Sequence, residues 1–568
     1  MEQPKNDATV DMTGAKKVIE TLKQLGVDTV FGYPGGAILP IYDALYQSGI
    51  RHILTRHEQA AIHAAEGYAK ATGRVGTVIA TSGPGATNLV TGIADAYMDS
   101  VPLVVITGQV ASSFIGTDAF QEVDVIGITA PVTKYSFQAR TPEELPSLLA
   151  EAYQIASTGR PGPVLIDIPK DIASTHCIYQ TALPATKRIK QTISEIDRDQ
   201  MEAIRQAISQ AKRPLLYIGG GIISGNASEE LRRFAKETGI PVCSTLMGLG
   251  AYPPDDSLFL GMLGMHGTYA ANMAVYHCDL LLACGVRFDD RVTGKLERFS
   301  PQSTKIHIDI DPSELGKIVP VDYSLVCDVK TALQALSLPS PIPDCENWRT
   351  QVQQWTHEYP LSYDQVQARA LKPQFVIDLL SNITDGNAIV TTEVGQHQMW
   401  AAHYYRAKKP RTFLTSGGLG TMGFGFPAAI GAQIAMPEST VVCIAGDASF
   451  QMNIQELQTI AELNIPVKVF IINNRFLGMV RQWQEMFYEN RLSESQIGGP
   501  DFVKVAEAFC VKGLRAATVA DAELVIKEAL AHPGPVVVDF LVEESENVFP
   551  MVPPGRANSE LIVKGWEE

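Results

Sequence analysis

From TVFGYPGG in its first part to VKVFIINN in its last, this chain repeats one local grammar: a short β-branched run, a glycine or polar turn, and a helical stretch. GTVIATSGPGATNLVTGIADAYMD followed by VPLVVITG is a full instance. Strands spaced by helices cannot pair as tight hairpins, so the pattern restricts the fold to parallel α/β units. The middle of the chain supplies RPLLYIGGG, IPVCSTLMG, CDLLLACGV and TKIHIDIDP, again strands that run into turns where an open sheet binds ligands. Pro-rich or polar joints near residues 180–192 and 337–345 divide the sequence into three comparable parts. A chain of 568 residues exceeds what one core serves, and three domains follow. The expectation is an α/β protein of three doubly wound parallel-sheet domains, spanning 1–185, 193–337 and 370–568. No internal repeat is obvious at the level of residues.

Composition removes several function classes. Hydrophobic residues make up 45% and charged ones 19%, with no apolar run of membrane-spanning length. The polar N-terminus MEQPKNDATVDM has the form of neither a secretory signal nor a transit peptide, so a cytoplasmic location is expected. The cysteines form no CxxC pair, and those in PVCSTLM, LLLACGV and TVVCIAG read as small buried thiols. A net charge of −16 argues against a nucleic-acid partner and makes any cation inside a motif informative for anionic ligands.

The strongest chemical signal lies in the last part. TVVCIAG ends in Gly446 and runs into Asp447, Ala448 and Ser449, while VKVFIINN ends in Asn473 and Asn474, so Asp447 and Asn474 stand 27 positions apart. A carboxylate and an amide oxygen at the ends of neighbouring strands can hold a hard cation such as magnesium, which keeps open positions for diphosphate oxygens. Alone, Gly-Asp at a strand end also reads as a turn and helix cap. Glu58 in TRHEQAAIHAAEGYAKATG opens a helix whose alanines permit close packing, and alone it reads as an acid favoured by the helix dipole. RFDDRVTGK sets Arg287 and Arg291 around two aspartates, the pattern of a surface ion-pair cluster as much as of an anion site. Gly219, Gly220 and Gly221 follow RPLLYI without the spaced dinucleotide fingerprint and by themselves mark a tight turn.

Taken together, Gly446, Asp447 and the double asparagine resemble the thiamin diphosphate motif, with Ala448 where glycine is usual. YPGGAILPIYDAL, RHEQAA, TSGPGATN, GTDAFQE, GMLGMHGTYAAN, RFDDRVTGK, VGQHQMWAA, GTMGFGFPAA and FLGMVRQWQ, in order over nearly the whole length, resemble the acetohydroxyacid synthase catalytic subunits within the pyruvate oxidase superfamily. The resemblance implies a pyrimidine-binding first domain, a central FAD-binding domain, and a diphosphate-binding last domain with an active-site tail. It assigns Glu58 to the cofactor's aminopyrimidine, and Val394, Gly395, Gln396, His397, Gly420, Met422, Gly446, Asp447, Ala448, Ser449, Asn474 and Met479 to its remaining contacts. Asp447, Asn474 and Phe476 become the magnesium set. Gly35 and Gly36 would form a loop over the reactive ring, Phe120 and Gln121 would line the substrate side, and Lys170 would stand at the entrance. Otherwise the glycines merely turn, Phe120 packs in a core and Lys170 is a solvated cation. Arg291 would hold the carboxylate of a second keto acid. Val480 would support the substrate pocket, and Trp483 would recognise the extra methyl of 2-ketobutyrate. Structural FAD would rest on Arg160, Gly219, Gly220, Gly221, Thr245, Leu246, Met265, His266, Gly285, Arg287, Asp289, Asp309, Ile310 and Asp328, with Asp311 nearby.

The implied reaction decarboxylates pyruvate and joins the two-carbon unit to a second pyruvate or to 2-ketobutyrate, giving 2-acetolactate or 2-aceto-2-hydroxybutyrate. A pyruvate oxidase with the same cofactors, a flavin-free catabolic acetolactate synthase and a non-enzymatic paralogue are the rivals. The resemblance also implies a homodimer or homotetramer in which Glu58 serves the neighbour's cofactor, a small regulatory subunit as partner, and a tail from Glu546 that folds over the site.

Overall fold

The computed structural model describes residues 9–180, 182–183, 198–336, 342–366 and 370–563. Much of both expected joints, at 184–192 and 337–341, lies outside the described residues. Three six-stranded sheets are present, and every strand pair within them is parallel. The chain is α/β with three doubly wound sheets, as its local grammar requires.

Central strands such as Leu103–Gln109, Pro163–Pro169 and Val441–Gly446 are buried along their whole length. Helices cover both faces, which explains why these strands read as continuous apolar runs rather than alternating ones. In the first sheet Val104, Ile106, Val164 and Ile166 feed one core, while Leu103, Val105 and Leu165 feed the core on the opposite face. The other two sheets divide in the same way. Cys243, Cys284 and Cys443 are buried free thiols within these strands, as expected. Among the described residues no helix is long and apolar enough to cross a membrane.

Strand order reveals a repeat that residue identities conceal. Numbered along their own segments, the strands of the first and last sheets both run second-first-third-fourth-sixth-fifth, whereas the middle sheet runs third-second-first-fourth-fifth-sixth. Helix Glu58–Thr72 and helix Gly425–Ala435 follow the second strand of their respective sheets, and they pack against each other. The approach is very close: a Cβ on Gly67 would stand 2.0 Å from the Ala428 carbonyl oxygen, and one on Gly431 would stand 1.7 Å from that of Ala64. Only glycine fits either place. The antiparallel ribbon of Thr9–Thr13 and His176–Gln180 ties together the two ends of the first unit. Beyond residue 337, Trp348 and Val352 of helix Glu346–Glu358 join the core of the middle sheet.

Candidate active site

A cavity of 1040 Å³ opens where strand order reverses in the middle sheet. Strands Pro214–Ile218 and Leu280–Cys284 are neighbours there, and their C-terminal turns lie back to back. The Gly221 N–H donates to the Gly285 carbonyl at 3.1 Å, and a Cβ on Gly219 would meet that oxygen at 2.4 Å. Gly285 itself has φ +60°. Gly219 and Gly221 are therefore packing requirements that leave bare backbone facing the cavity. Thr245, Leu246, Met265, His266, Arg287, Asp289, Asp309, Ile310 and Arg160 line the same space.

Three buried polar atoms on these walls lack partners among the described residues: Thr245 Oγ1, His266 Nε2 and Tyr217 Oη. Orphaned donors beside bare backbone and several guanidinium groups suit an elongated ligand that carries phosphate. Burial pushes the Asp309 carboxyl up to about 6 and the His266 imidazole down to about 3, leaving that ring neutral. Arg287 and Asp289 pair at 3.7 Å in the wall, each only about one-third exposed, so the cluster is not a freely solvated surface pair. Asp311 is turned to Arg160 at 3.4 Å. Asp328 does not line this cavity; it caps helix Val329–Ala335 through Thr331. An acid at a helix start is stable in that use.

A smaller cavity of 70 Å³ lies at the corresponding reversal in the last sheet, between the turns that follow Ile389–Thr392, Val441–Gly446 and Lys468–Asn473. Val394, Gly395, Gln396, His397, Gly446, Asp447, Ala448, Ser449, Asn474, Phe476 and Met479 all line it. Asp447 is buried and begins helix Asp447–Gln451, with no ion pair among the described residues. Burial pushes its carboxyl up to about 7, against backbone N–H groups that favour the charge. A divalent ion would provide the counter-charge that this oxygen-rich corner lacks. Of the double asparagine only Asn474 faces the cavity, its Oδ1 accepting from Phe476 N at 3.2 Å, whereas Asn473 is turned to Asp539 at 2.9 Å. His397 is fully buried, held near 3 by burial and therefore neutral, with Nε2 unpartnered beside Gly446.

The two cavities share a seam. Val394, Gly395, Met422, Met479 and Val480 line both, and Gly420, Arg291 and Trp483 line the larger one. The Arg291 guanidinium carbon lies 5.9 Å from the Trp483 ring centroid, and its side chain is 62% exposed. A planar cation beside an aromatic face gives a carboxylate and a short alkyl chain adjoining places to bind. The tail reaches this seam. The Val548 N–H donates to Gln482 Oε1 at 2.9 Å, Val552 N–H to the Met265 carbonyl at 2.7 Å, and Lys295 N–H to the Arg556 carbonyl at 2.9 Å.

Gly35, Gly36, Glu58, Phe120, Gln121 and Lys170 line neither cavity. Glu58, Gly35 and Gln121 gather around the turns after strands Thr29–Tyr33 and Gly76–Ala80. Glu58 is 9% exposed and accepts from Asn88 Nδ2 at 2.9 Å; a Cβ on Gly35 would meet Thr81 at 2.4 Å; Gln121, at φ +60°, lies against Gly83. Phe120 is 87% exposed, which excludes the core reading, and Lys170 is an exposed cation opening helix Lys170–Ser174. One chain thus carries two separate groups of site residues.

Sequence reading passed over several supports. Glu393, fully buried, accepts from Gly423 N at 2.7 Å and Phe426 N at 3.0 Å and fixes the turn that bears Gly420 and Met422. Asp99 accepts from Gly417 N and Gly418 N at 3.1 and 2.7 Å while pairing with buried Lys70 at 2.6 Å. An acid inside an apolar strand end, as in TTEVGQ, was the available signal for the first; the second depends on contacts more than 300 positions apart.

Three family models match: the N-terminal TPP binding domain of thiamine pyrophosphate enzymes over residues 12–128, the central domain over 201–336, and the C-terminal TPP binding domain over 393–540. The chain is 50% identical to an acetolactate synthase large subunit of Parasynechococcus marenigrum, covering 98% of this chain and 92% of that protein. It is 48% identical to the acetolactate synthase isozyme 2 large subunit of Escherichia coli (97% and 100% covered) and to an acetolactate synthase large subunit of Haemophilus influenzae (98% and 99%).

Proposed function

The chain belongs to the thiamine pyrophosphate enzymes, and within them to the acetolactate synthase large subunits, and from that premise we propose that its two groups of site residues meet across a pair of chains. Pyruvate is decarboxylated, and the two-carbon unit is joined to a second pyruvate or to 2-ketobutyrate, giving 2-acetolactate or 2-aceto-2-hydroxybutyrate. This is the first shared step of valine and isoleucine synthesis.

Thiamin diphosphate, when bound, supplies the electron sink that decarboxylation needs. Asp447 and Asn474, with Phe476, would hold magnesium for its diphosphate, and the bare backbone at Gly446 would admit the phosphate. Glu58 of one copy would lie at the pyrimidine end of the cofactor held by the other, where its carboxyl could accept or return a proton. Gly35, Gly36, Phe120, Gln121 and Lys170 arrive with it. Arg291 receives the acceptor carboxylate, and Trp483 packs on its alkyl end. FAD would be held in the larger cavity by the walls around Arg160, Gly219, Gly221 and Arg287, and because the reaction moves no net electrons its role would be structural. The division into 1–185, 193–337 and 370–568 corresponds to pyrimidine, flavin and diphosphate units, and a small regulatory subunit completes the assembly.

The observation that carries the reading is the seam: Asp447 and Asn474 on one cavity and Arg291 and Trp483 on the other, joined through Met479 and Val480. Purified protein given pyruvate and 2-ketobutyrate with thiamin diphosphate, magnesium and FAD is expected to form both acetohydroxy acids, with Glu58→Gln slower by about 100-fold or more. Acetate or acetyl phosphate appearing with reduced flavin would instead identify an oxidase.

A further inference from the structure

Arg291 sits on the four-residue helix Asp290–Thr293, with its backbone held from two directions. The Met265 N–H donates to the Arg291 carbonyl at 2.7 Å, and a Cβ on Gly264 would stand 2.5 Å from that same oxygen. The loop bearing Gly264 and Met265 is in turn fixed by Asn272, a fully buried side chain that accepts from Gly264 N at 3.2 Å and donates to Gly264 O at 3.0 Å. Both arms of this support converge on one residue from the far end of the chain. Asn558, 1% exposed, donates through Nδ2 to Asn272 Oδ1 at 2.8 Å and to the Val292 carbonyl at 3.0 Å.

We propose that Asn558 is a positioning residue for the acceptor keto acid, acting through Val292 and Asn272 to hold the Arg291 guanidinium at the seam of the two cavities. The proposal rests on the reading of Arg291 given above. A short helix cannot by itself fix an exposed guanidinium, because four residues make barely one turn and Arg291 reaches solvent. The amide of Asn558 closes the arrangement by bridging both of the backbone segments that Arg291 depends on. Alanine would leave the Val292 carbonyl and Asn272 Oδ1 short of a donor in a buried place, and the helix would be free to shift. The donor half of the reaction has no need of Arg291, so the consequence is confined to the second substrate.

The test uses the assembled holoenzyme with pyruvate as donor, titrated with 2-ketobutyrate. Asn558→Ala, Asn558→Ser, Arg291→Gln and the Asn558→Ala/Arg291→Gln double variant are compared with the parent. Asn558→Ala is expected to raise the KM for 2-ketobutyrate at least about 10-fold, with single-turnover carbon dioxide release from pyruvate within about 2-fold of the parent. In the Arg291→Gln background the same substitution should add less than about 2-fold, because its route of action is already removed. Asn558→Ser, the milder change, should follow in the same direction and covers the case of an alanine variant that does not fold. An unchanged KM, a KM effect that persists undiminished without Arg291, or an equal loss of carbon dioxide release would each overturn the proposal. Failure of the parent enzyme to form any acetohydroxy acid would count against the functional reading itself, and an Arg291→Gln variant with normal KM would remove the role of Arg291 and this inference with it.

Discussion

Burial decides the chemistry available to single residues here. Asp447 and Glu393 are both carboxyls pushed up to about 7 by burial, yet they are placed for different tasks: Glu393 is satisfied by the backbone N–H groups of the 423–426 turn, while Asp447 faces a cavity and has no cation beside it. His397 and His266 are neutral for the same reason and serve as hydrogen-bonding groups rather than charges. Trp483, stacked edge-on with Phe487 at 5.5 Å between ring centroids and facing the larger cavity, offers an apolar wall and no polar discrimination. An apolar wall separates 2-ketobutyrate from pyruvate by one methyl group, worth about 1–3 kcal/mol. Trp483→Leu is therefore expected to shift the product ratio in a mixed-substrate assay toward 2-acetolactate by about 10-fold or more, with total turnover much less affected. A ratio that does not move would assign the methyl contact elsewhere.

At the scale of elements, the packed pair Glu58–Thr72 and Gly425–Ala435 joins the first unit to the last. Along its buried side it encloses His63, Glu66, Lys70, Asp95 and Asp99, with Ser416 and Thr421 donating to Asp95 from the last unit. His63 Nδ1 lies 2.9 Å from Glu66 Oε1, and burial together with the neighbouring Asp95 raises the Glu66 carboxyl well above its ordinary range. Burial and Asp99 raise Asp95 as well, while Asp99 and its neighbours hold Lys70 charged despite burial. Glu66 and Asp95 offer carboxylate oxygens within 4.8 Å of each other and of a His63 ring nitrogen, and two buried acids this close favour holding one proton between them. Both acids bind protons more tightly when folded, so the stability they contribute is complete below the ordinary carboxylate range and is lost as pH rises above it. Asp95→Asn retains an acceptor for Ser416 and gains a donor for Glu66. Its unfolding free energy, from denaturant titration, should gain on the parent between pH 5 and pH 8.5, by about 1 kcal/mol or more. Parallel pH profiles for the two proteins would sink the shared-proton account.

For the whole molecule, the main consequence comes from Glu58 lining neither cavity while Asp447 lines the smaller one. If each site draws Glu58 from one copy and Asp447 from another, Glu58→Gln and Asp447→Asn are each inactive alone, yet a mixed dimer contains one intact site of two. Random mixing of the two dissociated variants should restore about a quarter of parental activity, since about half of all dimers are mixed. No recovery after verified subunit exchange would mean that the site closes within a single chain. The tail adds a second long-range dependence. By joining helix Gly478–Phe487 to the Met265 and Lys295 segments, it couples the last unit to the middle one across the seam.

The sequence by itself determined the α/β class, the three doubly wound parallel sheets, the fully buried strands and the turns that carry Asp447, Asn474 and the triple glycine, because these depend on periodicity and turn chemistry among near neighbours. It could not tell that Asn473 turns to Asp539, that Asp328 is a helix cap, or that Phe120 is exposed. Those outcomes follow from how each element is rotated against its neighbours. Only the tertiary structure decided the shared strand order of the outer sheets, the contact of Gly431 with Ala64, the clamp of Lys70 and Asp99, and the bridge from Asn558 to Asn272. Each joins residues that gain a partner only after separately formed units pack together, and that packing is set by shape and by the satisfaction of buried polar groups, for which no local pattern in the chain is required.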